Sequence, residues 1–353
     1  MQGTVSLTQF VVISILKIAI GLGALLTLDA YTVLAERKIV GRIQNRWGPS
    51  RVGPFGLLQP VADAFKLLFK EDITPPYVYK PLYLLAPVLA LALSLCSIAV
   101  IPIGNDITIR GYTTALQITD INVGLLVILG ITSIGVYGVA LAGWSSNNKY
   151  SLLGSLRASA QMISYEVALG LSLVGVLILS GTFSLRGIVD AQAGTWIIRG
   201  FNTHIPQWNI FPQFVGFLIY LTAAYAETNR IPFDLPEAET ELVAGYHTEY
   251  SSMKFAMFFM AEYANMITVA CLASLLFLGG WHGPLFGPPL MQALLPVFWF
   301  ALRVFFFLFL YIWIRGTLPR FRYDQLMAFS WKVLLPLAIA NIVFTSLWVA
   351  LFS

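Results

Sequence analysis

Long apolar runs alternate with shorter polar connections along the whole chain. Crossing about 30 Å of hydrocarbon as a helix takes roughly 20 residues. Eight runs meet that length: residues 10–34, 81–103, 120–143, 159–181, 210–229, 251–279, 290–314 and 332–352. Gly-Pro pairs and asparagine-rich stretches separate them. The pattern predicts an all-α polytopic membrane protein, a single membrane domain over residues 1–353, with both termini on the same side. Two connections, 35–80 and 227–250, are long enough to carry structure of their own.

Within the first connection a helical period returns. Phe55, Leu58, Val61, Ala62, Phe65, Leu68 and Phe69 fall on one side, and Gln59, Asp63, Lys66 and Lys70 on the other. This predicts an amphipathic helix over about 55–70, too short and too charged to span, lying flat in the interface. Pro60 comes early enough to be tolerated in the first turns or to kink the helix. A basic loop bracketed by Gly48-Pro49 and Gly53-Pro54 precedes it. One reading is a surface helix with snorkelling lysines. The sharper one is the rim of a portal, where Arg37, Arg42, Gln44 and Arg46 orient the polar head of a ligand whose tail stays in the membrane.

Composition strengthens the membrane assignment. Of 353 residues, 58% are hydrophobic and 11% charged, against about 25% charged in soluble domains. That excludes a cytosolic enzyme, a disordered chain and a nucleic-acid binder. The first positive charge, Lys17, lies inside the first apolar run, so the start does not read as a cleavable signal peptide. The net charge of +4 matters less than its placement. Fifteen of the 21 Lys and Arg residues fall in the first, third, fifth and seventh connections, and three in the others. The positive-inside rule then puts those odd connections in the cytoplasm or matrix and both termini outside. Fourteen of the seventeen acids also lie on the basic side or in the adjoining half of a span. Acids contribute little to topology, so this bias needs another cause.

The second long connection holds Glu227, Asp234, Glu237, Glu239, Glu241 and Glu249 with Arg230 among them. Apolar neighbours such as Pro232, Phe233, Leu235 and Leu242 place some of these acids in a protein-lined cavity. Glu237 and Glu241 share a face if the segment is helical. Coupled carboxylates in low dielectric suit proton storage and relay; the bland alternative is surface charge. Glu166, Glu262 and Arg303 interrupt apolar spans, at roughly 2.5–3.5 kcal/mol each. A structural pair, for example Arg303 with Glu262, is one reading and a hydrated path the other. Lys17 and Lys254 read as snorkelling or locally paired, and Asp29 as either kind of group.

Several chemistries are not visible. Cys96 and Cys271 lie far apart in apolar runs, with no CxxC spacing for iron–sulphur or zinc. His204, His247 and His282 fall in three different connections, so no paired haem site is visible. No GxGxxG follows a strand and no P-loop is present. The 182–209 connection reads as a simple outer-surface lid.

The stretches Ala35-Glu36-Arg37-Lys38, Gly48-Pro49 to Gly53-Pro54, and Leu57 to Lys66 (LLQPVADAFK) form one group of motifs. Glu227 to Glu239 (ETNRIPFDLPEAE), Ala261-Glu262-Tyr263, Arg315 to Arg320 (RGTLPR) and the stretch from Asp324 to Lys332 form another. Over essentially the whole chain they resemble one family of membrane subunits from proton-pumping NADH:quinone oxidoreductase (respiratory complex I). In mitochondria its member is called NADH dehydrogenase subunit 1. The resemblance implies a protein that joins the membrane arm to the peripheral arm, holds no redox centre or metal, and frames the membrane-side part of the quinone cavity. It implies Glu36, Arg37, Gln44, Arg46, Asp63 and Phe233 for the quinone channel. It implies Glu166, Glu227, Asp234, Glu237, Glu239, Glu241, Glu249 and Glu262 for an acidic proton path. FMN and the iron–sulphur clusters would sit in partner subunits. A hydrophilic partner with the terminal cluster, its quinone-cavity partner and small membrane subunits would surround this chain. Quinone and membrane lipid are the small-molecule partners. The expected location is a bacterial inner (plasma) membrane, or alternatively the mitochondrial inner membrane. Competing classes are a secondary transporter, although no internal repeat is visible, a docking anchor, and the quinone-independent homologue of membrane-bound hydrogenases.

Overall fold

A computed structural model describes residues 7–109, 112–198, 203–234 and 244–352. Helix dominates. Helix α1 (Leu7–Ile43) is followed by a short 3-10 turn at Pro54–Gly56, then α2 (Gln59–Phe69), α3 (Lys80–Cys96), α4 (Gly124–Ser145) and α5 (Lys149–Ser180). Next come α6 (Leu185–Ala191), α7 (Phe214–Glu227), α8 (Ser252–Phe277), α9 (Pro289–Thr317), α10 (Tyr323–Phe329) and α11 (Leu335–Phe352). A π-helical segment, Ser330–Leu334, joins the last two. Two small antiparallel hairpins, Ile107–Ile109 with Tyr112–Thr114 and Thr195–Ile198 with Thr203–Pro206, occupy connections between spans.

Among the described residues seven helices are long and apolar enough to cross a membrane. The predicted span at 210–229 is the exception. Its helix α7 has 14 residues, about 21 Å. Turns at both ends complete its apolar run, and Asn209, Gln213, Thr228 and Asn229 within them are buried. Non-helical backbone is tolerated at membrane depth where protein covers it. Here Asn209 Nδ2 donates to the Leu276 carbonyl and Gln161 Nε2 to those of Ala226 and Phe233.

Small residues set the packing. The buried face of α5 runs Gly154, Ala158, Gln161, Tyr165, Ala168, Ser172 and Gly175, steps of three or four that mark one helical stripe. Without a hydrophobic force between helices in lipid, such small side chains let backbones approach and gain van der Waals contact. This stripe brings α4, α7 and α11 around α5. The core spreads from there through Tyr220, Ala223, Ile267 and Leu275 to Phe307. A second cluster, with Tyr83, Tyr250 and Phe258, joins α3 and α4 to the start of α8.

The amphipathic helix starts at Gln59, later than the expected 55, and Pro60 sits in its first turn, where no intrahelical N–H is needed. Its last carbonyls are capped from α8: the Ser252 hydroxyl donates to Leu67 and Lys70. Lys254 pairs with Asp72 at 3.0 Å and donates to Thr74. Helix α2 is thus pinned across the end of α8.

Candidate functional site

Helix α1 does not stop at residue 34. It continues to Ile43, and with 37 residues it is about 55 Å long. The acidic and basic residues expected in a loop therefore lie on its last turns. Glu36 can stay helical and buried because cations meet it: it accepts from Arg315 and, at 2.9 Å, from the Tyr263 hydroxyl. Arg230 approaches Glu36 at 4.0 Å and Glu262 at 3.7 Å. The Arg230 guanidinium lies 4.0 Å from the centre of the Tyr263 ring, a desolvated cation–π geometry. Glu262 also accepts from the Tyr246 hydroxyl at 2.9 Å, with His247 at 3.9 Å. One buried network thus links α1, α8, α9 and the turns on either side of the acidic connection.

A cavity of about 520 Å³ opens beside this network, between α1, α2 and α8. Leu26, Val33, Leu34, Leu67, Phe255, Phe259 and Met260 give it apolar walls. Asp29, Arg37, Gln59, Asp63, Lys66 and Tyr263 add polar groups. Arg37 bonds Asp63 at 2.6 Å and Gln59 bonds the same carboxylate at 2.9 Å. Asp29 is buried, and neither of its oxygens has a hydrogen-bond partner among the described residues.

The six residues expected at a quinone channel divide. Arg37 and Asp63 line this cavity, and Glu36 stands behind its Tyr263 wall. Gln44 and Arg46 pair with each other at 2.8 Å on the exposed turn after α1. Phe233 packs between Tyr165 and Phe321 in the core. Sequence reasoning left Asp29 open and missed Tyr263 and Arg315. Asp29 and Glu36 are seven residues apart, two turns on one helix face, a spacing that marks them as neighbours.

The predicted acidic path is partly assembled. Glu227 and Glu262 line a cavity of about 40 Å³ together with Asn229 and Asn265, room for water among polar groups. Glu166 accepts from Ser133 and lies within electrostatic reach of Glu227. Asp234 pairs with Arg320 at 3.0 Å. Glu249 accepts from Tyr77 and Asn148, both at 2.7 Å. That bond to Glu249 raises the Tyr77 hydroxyl above its ordinary value, and burial pushes Tyr250 beside it up to about 12, so both remain donors at neutral pH. Glu237, Glu239 and Glu241 lie outside the described residues.

Arg303 does not pair with Glu262. It donates to the carbonyls of Gly280 and His282, at the other end of the bundle. Lys17 donates to the Gln117 carbonyl.

The turn that delivers Tyr246 and His247 to Glu262 rests on α5 at Gly154. A Cβ there would stand 2.7 Å from the Gly245 Cα. Gly154→Ala gains up to ~1 kcal/mol of helix propensity but forces backbone apart, at about 1–3 kcal/mol. The variant is expected to lower the melting temperature of the assembled complex. An unchanged value would show that the turn moves aside freely.

The fold and site define a polytopic membrane protein with a cavity of mixed apolar and polar walls between three of its helices, backed by buried ion pairs. Among the described residues no three His, Cys, Asp or Glu side chains cluster as metal ligands. A family model described as NADH dehydrogenase matches residues 16–346. An H subunit of NADH-quinone oxidoreductase from Koribacter versatilis is 68% identical over 98% of this chain and 99% of its own length. An H subunit of the same enzyme from Solibacter usitatus is 51% identical, covering 98% of both chains. The one from Thermomicrobium roseum is 52% identical over 96% of both. The chain belongs to the NADH dehydrogenase family, as a membrane subunit of an NADH-quinone oxidoreductase complex.

Proposed function

We propose that this protein forms the entrance and membrane-side wall of the quinone cavity and carries a proton and coupling path away from it. The observation that carries the reading is the juxtaposition of the 520 Å³ cavity with the Glu36–Arg230–Glu262 network. An isoprenoid tail enters between α1 and α2 along the apolar wall, and the polar head passes Asp29, Arg37 and Asp63. Two-electron reduction of a quinone takes up two protons, or leaves negative charge in a water-poor space. Low dielectric makes that charge act strongly on nearby carboxylates. Glu36 and Arg230 transmit it to Glu262, then across the small polar cavity to Glu227 and Glu166. Asp234 and Glu249 flank the segment carrying Glu237, Glu239 and Glu241, which we assign to the same path. Gln44, Arg46 and Phe233 act at the outer rim and the supporting core. The electrons come from redox centres in hydrophilic partner subunits, and the basic end of the bundle faces the cytoplasm of a bacterial plasma membrane.

Glu262→Gln tests this. The amide keeps an acceptor for Tyr246 and removes the charge facing Arg230. In the complex reconstituted in liposomes, NADH:quinone turnover and proton translocation should both fall at least severalfold, with the complex still assembled. Wild-type values for both in the variant would overturn the path.

A further inference from the structure

Most polar side chains that line the cavity between α1, α2 and α8 are already engaged. Arg37 and Gln59 both bond Asp63. Tyr263 donates to Glu36. Lys66 is exposed on α2. Asp29 differs from all of them. It lines the cavity, is only 4% exposed, and neither of its oxygens has a hydrogen-bond partner among the described residues. Arg230 lies within electrostatic reach but donates to neither oxygen.

Its own helix cannot satisfy it. Asp29 sits well inside α1, where each backbone N–H is used by the carbonyl one turn back. Thr27 and Thr32 close their hydroxyls on such carbonyls, those of Gly23 and Leu28. An ionised carboxylate has no proton to give and finds no free N–H to accept. Buried polar groups are nearly always bonded, so an exception calls for a cause. The partner of Asp29 comes from the cavity.

The walls say what kind of partner fits. The neighbours of Asp29 on α1 that share the lining are Leu26, Ala30 and Val33, so a lone water would find few of the polar contacts it needs. Phe255, Phe259 and Tyr263 line the cavity from α8. Their steps of four residues put them on one helix face. Their rings follow one another, Phe255 to Phe259 at 6.3 Å and Phe259 to Tyr263 at 4.8 Å between centroids. Such a ladder suits an offset-stacked or edge-on flat ring.

We propose that Asp29 is the hydrogen-bonding station for a ring oxygen of the quinone, with the ring against the Phe255–Phe259–Tyr263 ladder. The proposal rests on the quinone reading given above. A protonated carboxyl donates to a quinone carbonyl, and a carboxylate accepts from a quinol hydroxyl, so one side chain serves both forms of the ligand. Asp29 selects for an oxygen-bearing head and is indifferent to the tail.

The test uses the assembled complex in nanodiscs with two photoreactive probes of equal tail length. One carries an azidoquinone head and the other an azidophenyl head without ring oxygens. In the wild type the quinone probe should label residues within 26–37 and 255–263. Asp29→Leu, which puts methyls where the oxygens stood, should cut that labelling about fivefold, the loss of one hydrogen bond of ~1 kcal/mol. Apparent KM for a short-tailed quinone should rise by a similar factor, with a smaller change in kcat. Labelling by the azidophenyl probe should not fall. Asp29→Asn keeps a hydrogen-bonding head at the same place and should restore most of the quinone labelling, which a loss of folding in Asp29→Leu would not explain. Wild-type labelling that Asp29→Leu leaves unchanged would overturn the proposal and leave the quinone reading standing. Equal loss for both probes would also overturn it, since Asp29 would then shape the wall without binding oxygen. Quinone-probe labelling elsewhere in the complex and none in this cavity would overturn the reading and the proposal together.

Discussion

Arg230→Met is expected to be the most damaging single change in the chain. The guanidinium is buried and stands between two carboxylates, 4.0 Å from Glu36 and 3.7 Å from Glu262. Glu36 keeps Arg315 and Tyr263 when Arg230 is lost. Among the described residues Glu262 then keeps the Tyr246 hydroxyl and His247. Removing one partner of a buried ion pair leaves an uncompensated charge, at about 3–5 kcal/mol. Loss of the stack on Tyr263 adds to this, since cation–π contacts in dry sites are worth about 2 kcal/mol. Whole domains have only about 5–15 kcal/mol of stability. The expected outcome is a complex that assembles poorly, seen as a lower assembled fraction on native gels and a depressed melting temperature. The charge-balanced double variant Arg230→Met with Glu262→Gln should recover a large part of the loss, because the orphaned charge goes with the cation. A single variant as stable as wild type would show that the network carries no energy. Equal damage in single and double variants would place the loss in packing rather than charge.

The way this network forms explains which parts of the structure were legible in the sequence. Apolar runs mark spans because lipid leaves the backbone almost no other choice, and among the described residues seven helices of spanning length lie where the runs predict them. The eighth run, 210–229, is apolar throughout, but its helix covers only Phe214–Glu227. Periodicity cannot report that the turn after it is satisfied by Gln161 from α5, or that Asn209 in the turn before it bonds the Leu276 carbonyl of α8. The end of α1 misled for the opposite reason. Glu36, Arg37 and Lys38 read as a loop, yet Arg315, Asp63 and the Phe55 carbonyl receive them, so the helix runs on. Arg303 was legible as unusual and not as to partner, since the carbonyls it bonds carry no side-chain signature. The π-helical segment at Ser330–Leu334 left no mark either. It is fixed by Ser330 and Trp331 bonding to Ser164, 166 and 167 positions away. At the site the residue types were readable and their pairing was not: Arg37 and Asp63 lie 26 positions apart.

The second large effect is expected from closing the cavity between α1, α2 and α8 without touching its charges. Ala64 lies on the amphipathic helix, lines the cavity and is exposed. An indole there points at space rather than at a packed core, so the overpacking penalty of about 1–3 kcal/mol is largely avoided. Asp63 next to it keeps Arg37 and Gln59 as partners. Ala64→Trp should therefore leave assembly and NADH oxidation by a hydrophilic artificial acceptor at wild-type values, while reduction of a long-tailed quinone falls at least tenfold. The tail decides the discrimination. A ligand that must thread its whole length past residue 64 is delayed at every turnover, whereas a short-tailed analogue spends little of its path there. Apparent KM for the long-tailed quinone should rise more than for the short-tailed one, because a narrowed entrance slows arrival and leaves the chemistry alone. Asp63→Asn, by contrast, removes the partner of Arg37 at a half-exposed pair worth about 0.2–1 kcal/mol, and its effect should not depend on tail length. If Ala64→Trp lowers both quinones equally, the indole acts on the site from a distance and the cavity is not the route in. If it lowers neither, quinone reaches the complex by another path and the space between α1 and α2 holds lipid.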